Sequence, residues 1–421
     1  MTPHPSLVKT WLLVALFIST ARAQVCEDKT TEQFQVGKKQ SFVKNCSQIR
    51  RNFSHLCNFR ATVRDNCQYS CGLCGNLSNV DFCNDVAGGF TIAAGTQWEK
   101  VKSCSNAASR PDKFCSKWTF KKKCPIACGL CVHNSGGSEA GPSVVTCNGL
   151  ASNCNMKVND LLYATVHNAN HDGPPFQNHN APLEDALIAG YRGLMLDVCK
   201  CEDGLRFCHG GCNIGTRSII SVMTNIVGFL NSNPKDIIIF NFEMSIGNPT
   251  PAELWSVMEL VPGLEDKVYQ KENNQWPTLA DMTDVGKQII AFSHNNPNCP
   301  GSDGCATKIY DFFDYTKGTD WDFDTVSDIE NWEDSCQIKR GSVGEKPFYS
   351  VNNFVTKFYG PSAPASQTLN QKAFLRNRIQ KCAEVANAEP NFINVDYWQL
   401  GDVPEFVNEE NTARASRRRE A

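Results

Sequence analysis

The chain has 421 residues, 41% of them hydrophobic and 20% charged, which is enough for one large domain with smaller ones beside it. Its 22 cysteines, an even number, point to disulfides and an oxidising compartment. The formal net charge of −3 offers no general attraction for nucleic acid.

Residues 1–23 read as a secretory signal peptide: Lys9 supplies the positive region, WLLVALFI (11–18) the apolar stretch, and Ala21-Arg22-Ala23 the small-residue cleavage pattern. The apolar stretch is too short to span a bilayer as a helix, and no later one is longer. The expectation is a secreted, extracellular protein without a transmembrane segment. Sequons at Asn45, Asn52 and Asn76 fit a glycoprotein on that route.

The cysteines of the front part repeat. Cys26, Cys46, Cys57, Cys67, Cys71 and Cys74 are followed by Cys83, Cys104, Cys115, Cys124, Cys128 and Cys131, and both sets close in C-x3-C-G-L-C. Two tandem disulfide-rich modules are expected, at 24–75 and 81–132, too small to hold a large core without their bridges. Residues 24–131 hold 16 Lys/Arg against 8 Asp/Glu, so this front is basic and suits an anionic surface or polysaccharide. A Gly/Ser/Pro-rich linker, 133–146, follows.

The six-cysteine pattern resembles the ShK toxin-like (ShKT) module. That resemblance implies the pairings Cys26–Cys74, Cys46–Cys67, Cys57–Cys71, Cys83–Cys131, Cys104–Cys124 and Cys115–Cys128. The Lys-Tyr pair of channel-blocking members is replaced here by Ala61-Thr62 and Trp118-Thr119, so the modules are expected to bind or assist rather than block channels.

From Cys147 onward, β-branched runs alternate with amphipathic stretches. The strand candidates are 161–168, 193–198, 236–243, 287–294, 348–354 and 391–398; the helical ones are 182–190, 216–231, 251–261 and 366–385. Such alternation predicts an α/β domain, a TIM-type (β/α)8 barrel over 147–403, with two of its strands short or disguised. Residues 404–421 read as a polar tail. Proximity suggests the bridges Cys147–Cys154, Cys299–Cys305 and Cys336–Cys382, while Cys199, Cys201, Cys208 and Cys212 allow three pairings.

Several runs end in residues able to do chemistry. His167-Asn168 closes the first, Asp197 the second, and His209 follows the short LRFC run. Glu243 and His294 close the next two, and Asp396 sits late in the last. In a barrel these ends converge on one rim, with the last strand beside the first, so that Asp396 can orient His167. Two histidines flanking a phosphodiester suit general acid–base catalysis, and Asn168, Asp197 and Glu243 offer hard oxygen ligands for Ca²⁺ or Mg²⁺.

ATVHNA, GYRGLMLDV, FCHGG, NPKDIIIFNFE and NFINVDYWQLGD, in that order, resemble the X-type catalytic region of phosphatidylinositol-specific phospholipases C, in particular the secreted PLC-like phosphodiesterases. The resemblance spans roughly 147–403. It implies His167 as general base, His209 as general acid, and a phospholipid or lipid-headgroup substrate at a membrane surface. It also implies metal ligands at Asn168, Met195, Asp197 and Glu243; Met195 stands where an acidic ligand is expected, so another cation, such as Arg192 or Lys200, is a candidate for the same task. His294 falls near a substrate-contact position. The alternative is a catalytically weakened barrel that acts as a surface-binding protein through its ShKT modules.

Overall fold

The computed structural model describes residues 145–420, apart from 174–175, 272–274, 295–307 and 357–359, together with short stretches between residues 34 and 128. In the front part, Phe34–Gln35 pairs antiparallel with Val43–Lys44, and Phe90–Ala94 with Gln97–Val101, at corresponding places in the two repeats. Cys104 is bonded to Cys124, the second and fourth cysteines of the second repeat. The signal peptide, the sequons, most of the linker and the bridges Cys26–Cys74, Cys46–Cys67, Cys57–Cys71, Cys83–Cys131, Cys115–Cys128 and Cys299–Cys305 lie outside the described residues.

Nine strands form the sheet of the large domain. In chain order they are β1 (Tyr163–Val166), β2 (Gly193–Cys201), β3 (Gly204–Phe207), β4 (Ile238–Met244), β5 (Ile289–Ser293), β6 (Tyr310–Asp311), β7 (Thr316–Gly318), β8 (Phe348–Asn352) and β9 (Phe392–Val395). Eight are parallel in the order β6-β5-β4-β2-β1-β9-β8-β7, and β3 folds back antiparallel on β2. The first and last strands of the domain are thus neighbours, as a barrel requires. The two disguised strands are β6 and β7, only two and three residues long.

One expectation is corrected here. The barrel is not closed by hydrogen bonds: among the described residues no ladder joins β6 to β7. The reason is local. The Asp311 carboxylate accepts from the backbone N–H groups of Phe313 and Asp314, turning the chain into a short helix, Phe312–Tyr315, that bridges the two edges.

Alternation along the strands decides which side chains face inward. Leu194, Leu196, Val198, Phe240, Phe242, Ala291, Val351 and Ile393 face outward and pack beneath the helices in one core. The opposite parity forms a second core, in which Tyr163, Ile239, Phe292, Phe348 and Phe392 fill the base of the barrel. Trp276 closes that base, with its ring edge-on to Phe348 at 4.9 Å. Fully burying each of these rings stabilises the fold by about 2–3 kcal/mol. Continuing the same parity toward the strand C-termini leads to His167, Asp197, Glu243, His294 and Asp396. One alternation therefore yields an apolar floor and a polar rim. Gly193 is required where β1 and β2 come closest, because a Cβ there would lie 2.2 Å from Thr165 Oγ1.

The polar tail is also corrected. Val403–Glu420 is an 18-residue helix and part of the domain. The Asn411 side chain takes the N–H of Leu162 at 2.8 Å and donates to its carbonyl at 2.9 Å, just before β1. Arg414 donates to the Pro390 carbonyl just before β9. Val403, Phe406 and Val407 join the outer core at the start of this helix, but beyond them Asn411 and Arg414 carry most of the docking, so no apolar stripe runs its length. Of the three possible pairings in the β2–β3 hairpin, the structure has Cys199–Cys208 and Cys201–Cys212, and Cys147–Cys154 and Cys336–Cys382 are joined.

Candidate active site

His167 follows β1, with its backbone N–H still bonded to the Val395 carbonyl of β9. That pairing brings Asp396 alongside, and His167 Nδ1 lies 2.9 Å from Asp396 Oδ1. An ionised carboxylate only accepts, so Nδ1 carries the proton and Nε2 is left with its lone pair free. Asp396 is almost fully buried, and Asn178 Nδ2 donates to the same oxygen at 2.8 Å. The Phe354 ring stacks on the imidazole at 3.7 Å, fixing its plane. Below, buried His179 donates from Nε2 to the His167 carbonyl.

His209 follows β3. Cys208 N–H donates to the Asp197 carbonyl and His209 N–H to the Ile214 carbonyl, which fixes the backbone on both sides of the ring. Its Nδ1 is 3.5 Å from Asp197 Oδ2. His171 stacks on the His209 ring at 4.4 Å and donates from Nδ1 to Asn178 Oδ1 at 3.1 Å. Asn178 thus connects the two centres, holding Asp396 with its amide nitrogen and His171 with its amide oxygen. The loop HDGPPFQNHN (171–180) carries these supports.

His167 and His209 line one cleft of about 290 Å³. Asn168, in a left-handed conformation at φ 45°, and Asp396 complete its polar side; Phe176 and Ile214 form part of the apolar wall. Asp197 and Glu243 are register partners on β2 and β4. Partial desolvation and the neighbouring Asp197 charge push the Glu243 carboxyl above its ordinary range, while Arg340, His167 and His209 draw it down; half of the side chain is still open to solvent, which keeps the rise modest. The acidic pair and both histidines therefore share one electrostatic neighbourhood.

Three sequence candidates sit elsewhere or do other work. Arg192 is at the opposite end of the sheet, buried, bonded to the Leu187 and Tyr191 carbonyls and ion-paired with Asp236 at 2.6 Å. It anchors the N-terminal end of β2 and is not a substrate contact. Lys200 is paired with Glu253 on the surface. His294 is on the rim side but only 3% exposed, packed against Phe312 and Phe313, and burial with the nearby Arg340 charge lowers its pKa to about 3. It supports its neighbours as a neutral ring.

The residues do not fit the divalent-cation site that the sequence resemblance implies. Calcium takes six to eight oxygen ligands and magnesium six. Met195 presents a thioether, a soft donor, to the barrel interior beside Thr165, Asn241 and Asn394. Among the described residues no three acidic, histidine or cysteine side chains form a metal-binding group.

The family model described as PI-PLC X 1 matches residues 153–411, more than half of the chain. The chain belongs to the PI-PLC X family. Its similarity to individual relatives is low but extended. A PI-PLC X domain-containing protein of Arabidopsis thaliana is 23% identical over 59% of this chain and 60% of that protein. A protein of Arthroderma benhamiae named an uncharacterized secreted protein is 24% identical over 61% of each. The chain thus spans about 60% of the length of these relatives. Among solved structures, the phosphatidylinositol-specific phospholipase C of Listeria monocytogenes matches with 15% identity and a TM-score of 0.44, covering 61% of this chain and 94% of that one. A calcium-dependent phosphoinositol-specific phospholipase C from a Pseudomonas species matches with 12% identity and a TM-score of 0.32, over 62% of this chain and 95% of that one. No helix among the described residues is long and apolar enough to cross a membrane. The PI-PLC X region includes part of the C-terminal helix, as its docking beside β1 requires.

Sequence reading had missed Asn178, His171, His179, Phe354 and Arg340. The first three lie in the Asn- and His-rich loop after β1, which carried a compositional signal. Phe354 stands just past a strand end, and Arg340 had no signal in the local pattern.

Proposed function

We propose that this protein is a secreted phosphoric diester hydrolase or lyase acting on phospholipid headgroups by paired histidine catalysis. The observation that carries this reading is the pair His167 and His209 on one cleft, the first braced by buried Asp396 and the second beside Asp197. His167 Nε2 takes the proton of the attacking hydroxyl, the 2-hydroxyl of an inositol headgroup or a water. The oxygen forms a bond to phosphorus as the bond to the diacylglycerol oxygen breaks. His209 gives its proton to that departing oxygen. With an inositol headgroup the products are a cyclic phosphate and diacylglycerol. Asp396 steadies the imidazolium formed on His167.

PI-PLC X membership, the bridged cysteines of the described region and the secreted relative support this role and an extracellular setting. The two front repeats, read as ShKT modules, would bring the enzyme to an anionic surface. The test is phosphodiester cleavage by the full chain on a phospholipid panel, with His167→Ala and His209→Ala beside the wild type. Full activity in either variant would remove the paired histidine mechanism. Met195 and the incomplete acidic set favour the second reading, a surface-binding protein on a weakened barrel, which predicts vesicle binding without turnover.

A further inference from the structure

Asp197 stands 3.5 Å from His209, and Glu243 is within electrostatic reach of both histidines, so a phosphodiester held between the rings has carboxylate charge nearby while its own oxygens gain charge in the transition state. A fixed cation has to offset this. Arg192 and Lys200 are committed elsewhere, and the donor set does not fit a divalent ion. Besides the two histidines, the cation acting on Glu243 is Arg340.

Arg340 is built into the rim. Its N–H donates to the Gly318 carbonyl at 3.1 Å, and its carbonyl accepts from Gly318 N–H at 3.0 Å, at the last residue of β7. From there the side chain crosses toward β5 and β4. The guanidinium lies 5.2 Å from the Phe313 ring centroid, and Nη2 is 3.5 Å from His294 Nδ1. That histidine nitrogen is in turn 3.9 Å from Glu243 Oε2. A guanidinium only donates, so His294 Nδ1 faces it as an acceptor, in keeping with a neutral buried ring. Among the described residues no carboxylate lies within ion-pair distance of Arg340; Glu243 and Asp320 act on it from further away. The planar fork is therefore held by an aromatic face, a neutral imidazole and a backbone pair, and its charge is not consumed by a bonded carboxylate.

We propose that Arg340 is a catalytic residue that binds the phosphoryl oxygens and supplies the positive charge that the incomplete acidic set cannot recruit from a divalent ion. Phe313 and His294 position the guanidinium, and Glu243 acts on it from further away. This inference rests on the phosphodiesterase reading for its chemistry, but its binding step can be measured separately.

The experiment titrates the full chain with inorganic phosphate in the presence of chelator, followed by calorimetry, for the wild type, Arg340→Gln and Arg340→Lys. Near-ultraviolet circular dichroism checks the fold of each. The expected result is saturable phosphate binding by the wild type, weakened about tenfold or more in Arg340→Gln and less in Arg340→Lys, which keeps the charge without the fork. If the glutamine variant does not fold, the lysine variant carries the comparison. Unchanged affinity in a folded variant, no saturable binding by the wild type, or wild-type binding that chelator abolishes and Ca²⁺ restores would each overturn the assignment. Lipid cleavage separates the two claims. Phosphate binding through Arg340 without cleavage of any lipid removes the phosphodiesterase reading and keeps the cation site. Lipid cleavage at an undiminished rate by a folded Arg340→Gln does the reverse.

Discussion

His179 offers a quantitative test of how the base is held. Its ring is fully buried, Nε2 donates to the His167 carbonyl, and Nδ1 faces the Trp398 N–H at 3.5 Å. One nitrogen must donate and the other accept, so only the neutral ring fits. Burial lowers its pKa from 6.5 to about 4, against the opposing pull of Asp396. Between those values the unfolded chain binds a proton that the folded chain refuses. Stability therefore rises with pH through this window: the contribution is complete above 6.5 and lost as pH falls toward 4. A shift of this size is worth about 3 kcal/mol. His179→Gln keeps an N–H donor and removes the titration. Guanidinium unfolding by tryptophan fluorescence, at steps from pH 7 to pH 4, should show the wild type losing about 3 kcal/mol more than the variant over that interval. Parallel stability curves for the two proteins would refute the claim that a buried neutral His179 supports the base.

Three further outcomes follow from the same geometry. Asp396→Asn keeps an oxygen acceptor near His167 but removes the charge opposite the imidazolium; kcat should fall about 10²- to 10³-fold with KM little changed and the fold intact by circular dichroism. Met195→Glu places a carboxylate in the barrel interior near Asn241 and Asn394. It should lower the melting temperature of the protein in chelator, and Ca²⁺ should raise that of the variant and not that of the wild type, by differential scanning calorimetry. Cys201→Ser with Cys212→Ser frees the hairpin end that carries His209, so kcat should fall about tenfold or more through misplacement of the acid, read by steady-state kinetics on the lipid that the wild type cleaves.

Much of the fold was legible because it follows from period-two alternation. The six long strands were all read near their observed positions, and residues of one parity in them carry His167, Asp197, Glu243, His294 and Asp396 to the rim. The pairing of β9 with β1, which joins Asp396 to His167, was expected from barrel topology. The short strands β6 and β7 were not legible, since two or three residues hold no period, and the helix between them replaces the closing ladder. The C-terminal helix was hidden because its apolar contacts, Val403, Phe406 and Val407, end after the first turns, and Asn411 and Arg414 dock the rest through polar contacts. Arg192 misled: chain order already puts it before the strand 193–198, at the end opposite Asp197, and the structure adds that its charge is held by Asp236. Arg340 reaches the site across the barrel mouth, a relation that no spacing along the chain contains.

The central claim is that His167 and His209 work as one acid–base pair on a lipid phosphodiester. It is tested most directly by cleavage of a mixed phospholipid panel by the full chain, in chelator and with Ca²⁺, for the wild type, His167→Ala, His209→Ala and the double variant. The account predicts cleavage by the wild type in chelator, a loss of about 10²-fold or more in each single variant, and little further loss in the double variant, since the two rings serve one transition state. Full activity in either single variant would contradict it.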